Sequence, residues 1–429
     1  MKILSIALFS LLLLTSCHQS AKRIVNPSFA DSLISKYQPS EMAQAAKNNL
    51  AFWQRRMDSL PENFVTGPKY AAALSSCFHI FGDIKNLRRA DSLMKESNKV
   101  NQGKEPGILR TLASLAMLQH QFHEADSFLR QAAQIDKRNI ANTYLDFDVA
   151  FESGDMTKVR SLLKTLEKDN SYSYLFRRSK YEHVDGSLDS AINYMIQAAE
   201  KNADNKYLQQ VALSNAADLL VHKGNLSKAY EFYRQSIKID GADFHSILGL
   251  GWIALVADKN DTLAEKIFQF VYKHNTSPDA LLKLEQVAEA RNNSILQRQY
   301  ANEFVIQASN SNYGKMYTKY LIDLFTGVLN NPGKAVILAE QEITNRPTAQ
   351  VYAWYAWSLF CNKQKDKAYR VLKDFVSAKP LEGLELYYMG KMMRGLDKGY
   401  NAQQFLKAAY KNRYDLSPAK VKDLKESLE

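Results

Sequence analysis

Between Gln210 and Asp240 the apolar positions fall into two runs of helical period on either side of Lys223-Gly224-Asn225. In the first run Val211, Ala212, Ala216, Ala217, Leu219 and Leu220 share a face. In the second, Ala229, Tyr233 and Ile237 recur every four residues and stack on one side. A polar turn between two such faces predicts an antiparallel helix pair. Ala217 and Ala229 are small enough to let the two backbones approach where the helices cross. One such pair cannot bury both of its faces and needs neighbours.

The neighbours are legible from the same anchor. Ala90, Ala125, Val159, Ala191, Ala229, Ala264, Ala301, Ala335, Ala368 and Ala402 follow one another at 32 to 38 residues. Around them the local signal repeats, as in Ala125-x3-Leu129, Ala191-x3-Met195, Ala264-x3-Phe268, Ala368-x3-Leu372 and Ala402-x3-Leu406. This pattern resembles the tetratricopeptide repeat, a helix–turn–helix of 34 residues with Ala-x3-aromatic in its second helix. The resemblance implies an all-α, right-handed superhelical solenoid of about ten antiparallel helix pairs, capped at both ends by extra helices. Ser40 is placed to cap a leading helix from Glu41 to Leu60. Ser417-Pro418 caps a last one, in which Val421, Leu424 and Leu428 form a narrow apolar stripe. In a stack that touches only nearest neighbours, Cys77 and Cys361 should not meet.

The first residues read differently. Ile3 to Leu14 is an apolar run of about 12 residues, too short to span a bilayer and proportioned like a signal-peptide core. Leu14-Thr15-Ser16-Cys17 follows it and resembles the bacterial lipobox. That resemblance implies a signal peptide over 1–16, lipid attachment at Cys17 and a tether over 17–38, with the solenoid filling 39–429. No Asp follows the cysteine and no acidic cluster follows His18-Gln19-Ser20. By analogy with known sorting rules, this predicts an outer-membrane lipoprotein of the cell envelope that faces the periplasm.

Candidate chemistry is sparse. There is no phosphate-cradling GxxxxGK loop, no HExxH and no GxSxG, and His120 with His123 lacks a third metal ligand at fixed spacing. The chain reads as non-enzymatic, with no cofactor and no metal. The formal charge of +11 shows no basic stripe along one helix, so nucleic acid is not an expected partner.

In the family that the repeats resemble, first helices line the concave groove. Counting back 19 residues from the anchors gives unit starts at 172, 316, 349 and 383. That register places Ser173, Phe176, Lys180 and His183 in the groove, then Tyr317 and Tyr320, then Trp357 and Phe360, and finally Tyr387, Lys391 and Arg394. Aromatic anchors flanked by Lys and Arg suit a protein or peptide partner. The function expected is a lipid-anchored scaffold binding such a partner in the envelope. The alternative is a carbohydrate-binding lipoprotein of a glycan-uptake system, with Trp354 and Trp357 stacking on sugar rings. Phe147 and Asp323 fall where the repeat wants a small residue, and Trp252 fits only if its unit slips by one.

Overall fold

The computed structural model describes residues 23–59, 65–310 and 312–429. Every regular element among them is helical. Two leading helices, α1 (Pro27–Ser35) and α2 (Glu41–Ser59), precede ten pairs. Units 1 to 3 are α3 (Thr66–Phe81) with α4 (Ile84–Val100), α5 (Pro106–Leu118) with α6 (Phe122–Ile135), and α7 (Ile140–Glu152) with α8 (Met156–Leu166). Units 4 to 6 are α9 (Tyr172–Val184) with α10 (Leu188–Lys201), α11 (Lys206–Lys223) with α12 (Leu226–Ile239), and α13 (Phe244–Val256) with α14 (Asp261–His274). Units 7 and 8 are α15 (Asp279–Ala290) with α16 (Ser294–Ala308) and α17 (Thr318–Thr326) with α18 (Pro332–Asn345). Unit 9 is α19 (Ala349–Cys361) with α20 (Lys365–Val371), which runs on into a π turn over Leu372–Val376. Unit 10 is α21 (Gly383–Gly395) with α22 (Gly399–Lys411), and α23 (Pro418–Leu428) closes the chain.

All ten small anchors are buried, nine of them completely. They sit where each second helix crosses its partner, so a larger side chain there would push the pair apart. Each turn inside a unit carries one residue in the left-handed region. It is glycine at Gly82, Gly154, Gly186 and Gly224, and a larger residue at His120, Lys259, Asn292, Asn330, Lys363 and Asp397. The second helices then start on side-chain caps: Asp83, Asp155, Asn225, Asn260, Asn293 and Asn331 each accept from a backbone N–H in the first turn. Unit 8 departs from expectation. Its first helix α17 is only nine residues long, and Asp323, where the repeat wants a small residue, is taken by Tyr388 and Lys420.

The stack does not touch only nearest neighbours. Turns within units 1, 2, 3 and 5 meet turns that follow units five or six further along. Thr276 N–H donates to the Phe81 carbonyl at 2.9 Å, and Asn275 Nδ2 donates to the Ile80 carbonyl at 3.2 Å. Asn345 Nδ2 donates to the His120 carbonyl at 3.0 Å, and Arg346 reaches Glu152 at 3.5 Å. Asp415 pairs with His222 at 2.6 Å, and Trp252 Nε1 donates to the Tyr414 carbonyl at 2.8 Å. The superhelix therefore winds about five units per turn and closes along a seam. The apolar core of α3–α5 is continuous with that of units 7 to 10.

The described part of the expected tether, 23–38, is not a free linker. Asp258 accepts from the N–H groups of Ile24 and Val25 at 2.8 and 2.9 Å, and Val25 and Ala30 are fully buried. Tyr37 packs on Phe244, Phe270 and His274. The apolar Ile24, Val25, Phe29, Leu33 and Ile34 cover the outside of units 5 and 6, so burial holds this strap down. The signal peptide 1–16 and Cys17 lie outside the described residues. Cys77 and Cys361 are both free thiols.

Candidate functional site: an interior cavity

Because the coil closes, the concave faces of α11, α13, α15 and α17 surround a cavity of about 970 Å³. Each helix turns one polar stripe inward: Ser214, Asp218 and His222 on α11, His245 and Trp252 on α13, Asp279, Lys283 and Gln286 on α15, and Tyr320 and Asp323 on α17. Residues 414–417 with Lys420, from the C-terminal segment, close one side.

Most of these polar groups are matched. Asp218 accepts from the Tyr233 hydroxyl at 2.6 Å and pairs with His245 Nε2 at 2.8 Å. The Asp218 charge, helped by that bond, outweighs burial and lifts His245 to about 9. Lys319 lies 3.2 Å from both Glu382 and Glu385, and Lys420 lies 3.1 Å from Asp323. Burial disfavours both ammonium groups, but the carboxylates beside them hold their pKa values above the usual lysine range. The His222 and His183 rings lie 5.0 Å apart. Burial opposes charge on His222, yet Asp415 keeps its pKa above the ordinary histidine value. His183 is pushed the other way, by burial and then by His222 itself.

Lys283 is the exception. Its Nζ lies 3.8 Å from the centre of the Trp252 ring and makes no hydrogen bond or ion pair among the described residues. Burial pulls it down to about 8, against the attraction of Asp279 and Asp218. Among the described residues Asp279 in turn receives only the Tyr317 hydroxyl, at 3.4 Å, and the buried Gln286 Oε1 has no partner.

The residues expected in the groove are not gathered at one place. Tyr317 and Tyr320 line the cavity. Trp357 and Tyr387 instead line a smaller cleft of about 200 Å³, beside Glu285, which burial and then Glu289 push up to about 8. Trp357 stacks on Tyr388 at 4.8 Å and on Phe360 at 5.8 Å. Tyr387 and Lys391 bond Asp423, and Arg394 donates to the Ser427 carbonyl, so α23 covers all three. Lys180 pairs with Glu152 and lies over the Phe151 ring, Phe176 packs on the Tyr172 ring, and His183 sits against His222. Trp354, offered for sugar stacking, is buried and donates to Glu385 at 2.7 Å. Trp357 is stacked on Tyr388 and donates its indole N–H to Thr326, so it too is engaged within the protein.

Lys283, Asp218, His245 and Trp252 were not proposed as site residues from the sequence, although the signal was there. The same count from Ala229 and Ala301 starts units at 210 and 282, and yields Val211, Ser214, Asp218, Lys283 and Gln286, all on the cavity wall. The one-residue slip noted for Trp252 recovers His245 and Leu248 as well. Among the described residues no group of three or more His, Cys, Asp or Glu could hold a metal ion.

No family model and no curated protein matches the chain. Solved structures do. The Cut9–Hcn1 hetero-tetramer of the APC/C aligns at 14% identity over 93% of this chain and 69% of that one, with a TM-score of 0.50. PilW, a widely conserved type IV pilus biogenesis factor, aligns at 14% identity over 49% of this chain and 97% of its own, with a TM-score of 0.39. A human IFIT1 dimer with PPP-AAAA aligns at 13% over 76% of each chain, with a TM-score of 0.45. At such identities likeness speaks of fold, not of activity. Ten helix pairs in one stack, each crossing on a buried small anchor, give the chain the tetratricopeptide-repeat fold.

Proposed function

We propose that the chain is a non-catalytic binding scaffold of the bacterial envelope, anchored through an acylated Cys17, whose interior cavity receives part of a protein or peptide partner. The observation that carries this reading is the convergence of four first helices on one cavity that retains unmatched polar groups. Buried polar groups in folded proteins are almost always paired, so a cluster of unpaired ones inside a cavity points to a ligand. Seven carboxylates line it against three lysines, which disfavours a polyanion such as nucleic acid. The strap over 23–38 would leave only a short stretch between the lipid and the body, holding units 5 and 6 toward the membrane.

Two experiments test the reading. Metabolic labelling with an alkyne fatty acid should mark the wild type and not Cys17→Ser, and labelled protein should fractionate with outer membrane. A photo-crosslinker placed at Tyr207, on the cavity wall, should capture one recurrent envelope protein or peptide in cells. Capture of nothing specific, across growth phases, would overturn the scaffold reading.

A further inference from the structure

The unmatched groups in the cavity have a definite chemistry. Asp279, Lys283 and Gln286 lie on one stripe of α15, at i, i+4 and i+7. An Asp and a Lys four apart on a helix ordinarily pair. Here they do not, because the Lys283 stem turns away and its ammonium rests on the face of Trp252. Trp252 is itself fixed by donating to the Tyr414 carbonyl, so the ammonium is held in place rather than left to wander. On the neighbouring helix α17, the Tyr320 hydroxyl makes no hydrogen bond among the described residues, and the residue is 37% exposed. Around this patch the other carboxylates are spoken for: Asp218 by Tyr233 and His245, Asp323 by Tyr388 and Lys420, Glu382 by Lys319, and Asp415 by His222.

We propose that this patch binds a short peptide bearing both a free carboxylate and a free amine, with Lys283 taking the carboxylate and Asp279 the amine. The inference rests on the scaffold reading and names the chemistry its cavity selects. A ligand with a carboxylate alone leaves Asp279 uncompensated, and one with an amine alone leaves Lys283 so. A phosphate dianion would meet Asp218 and Asp279 with only one unpaired cation, and no cluster of arginines lines the wall. The gap between the two charges exceeds ion-pair distance, so one ligand must present its two charged groups apart, as the two ends of a short peptide do. Gln286 Oε1 and the Tyr320 hydroxyl offer an acceptor and a donor for its peptide groups. Tyr313, Tyr317 and Trp252 give its side chains apolar walls. A volume of about 970 Å³ accommodates such a ligand without any opening of the coil.

The test uses the full chain purified in detergent and a randomised tripeptide library in four forms: free ends, N-acetylated, C-amidated and blocked at both ends. Retained peptides are read by mass spectrometry, and binding is followed by tryptophan fluorescence with Trp252→Phe as the control for its origin. The free form should be retained, with each block weakening binding about tenfold or more, as loss of a charge-assisted bond does. Lys283→Met should abolish the penalty for amidation alone, and Asp279→Asn the penalty for acetylation alone. Circular dichroism of each variant checks that it is folded. Equal behaviour of the four library forms on folded wild type would overturn the inference, as would a carboxylate preference that survives Lys283→Met. If the Tyr207 crosslinker still captures a partner while the four forms behave alike, the scaffold reading stands and this one falls. If it captures nothing, both fall.

Discussion

Lys283 and His245 face one cavity, and burial disfavours the charge on both, but only His245 has a carboxylate beside it that outweighs that cost, which makes them separable by pH. Lys283 has a folded pKa near 8, below the ~10.4 of an unfolded chain. Below pH 8 both states are protonated and the native state carries the full cost of an unpaired ammonium. Between pH 8 and ~10.4 the native state releases its proton first, so this cost fades and stability rises. Lys283→Met should therefore be more stable than wild type at pH 7, by about 1–2 kcal/mol, and the gain should shrink toward pH 10. For His245 the sign reverses. Its folded value near 9 lies above the ordinary ~6.5, so the Asp218 pair stabilises fully below pH 6.5 and fades as pH rises to 9. Asp218→Asn should remove that fall. Urea unfolding at pH 6, 7.5 and 9 distinguishes the two. A flat profile in wild type that neither variant changes would contradict both.

At the scale of the element, α23 shows what a sequence carries and what it does not. Its stripe of Val421, Leu424 and Leu428 was legible, as was its Ser417 cap, and Leu424 is fully buried. Leu424→Ala should cost about 2–4 kcal/mol by chemical denaturation and loosen amide protection in α21. Helical period tells which face of α23 is apolar but not which neighbour receives it. Tyr387, Lys391 and Arg394 were thus read as open groove positions although they bind α23. The docking of the strap around α1 was missed for a related reason. Ile24, Val25 and Phe29 are too few and too close to Pro27 to make a periodic signal, and their partner Asp258 lies 233 residues away from Val25. Asp258→Ala leaves the Ile24 and Val25 N–H groups unpaired. It should expose Lys36 to trypsin at concentrations that spare the wild type.

The seam belongs to the whole molecule. Each unit could be read from its own residues, because the anchor spacing and the Ala-x3-apolar signal are local. The winding of about five units per turn sums small rotations between neighbours, and no local pattern records that sum. A linear solenoid unfolds nearly as the sum of its nearest-neighbour terms. A closed one couples units 1 to 5 to units 6 to 10 and should unfold more cooperatively. Arg346 sits at the join: it pairs with Glu152 of unit 3, bonds the fully buried Glu342 at the end of unit 8, and lies over Phe122 and Trp354. Arg346→Ala would strand the Glu342 carboxylate, at about 3–5 kcal/mol. Gly82 is a second join. Its φ of 72° disfavours any other residue, and a Cβ there would lie 2.5 Å from Asn275 Oδ1 and 2.8 Å from Ser277 N. Either Arg346→Ala or Gly82→Ala should raise amide exchange on both sides of the seam together, in α5 to α7 with α18 and α19 for the first, and in α3 with α15 for the second. Loss confined to the mutated unit would mean that the seam is mere contact, and that the cavity it encloses is held shut by the stack alone.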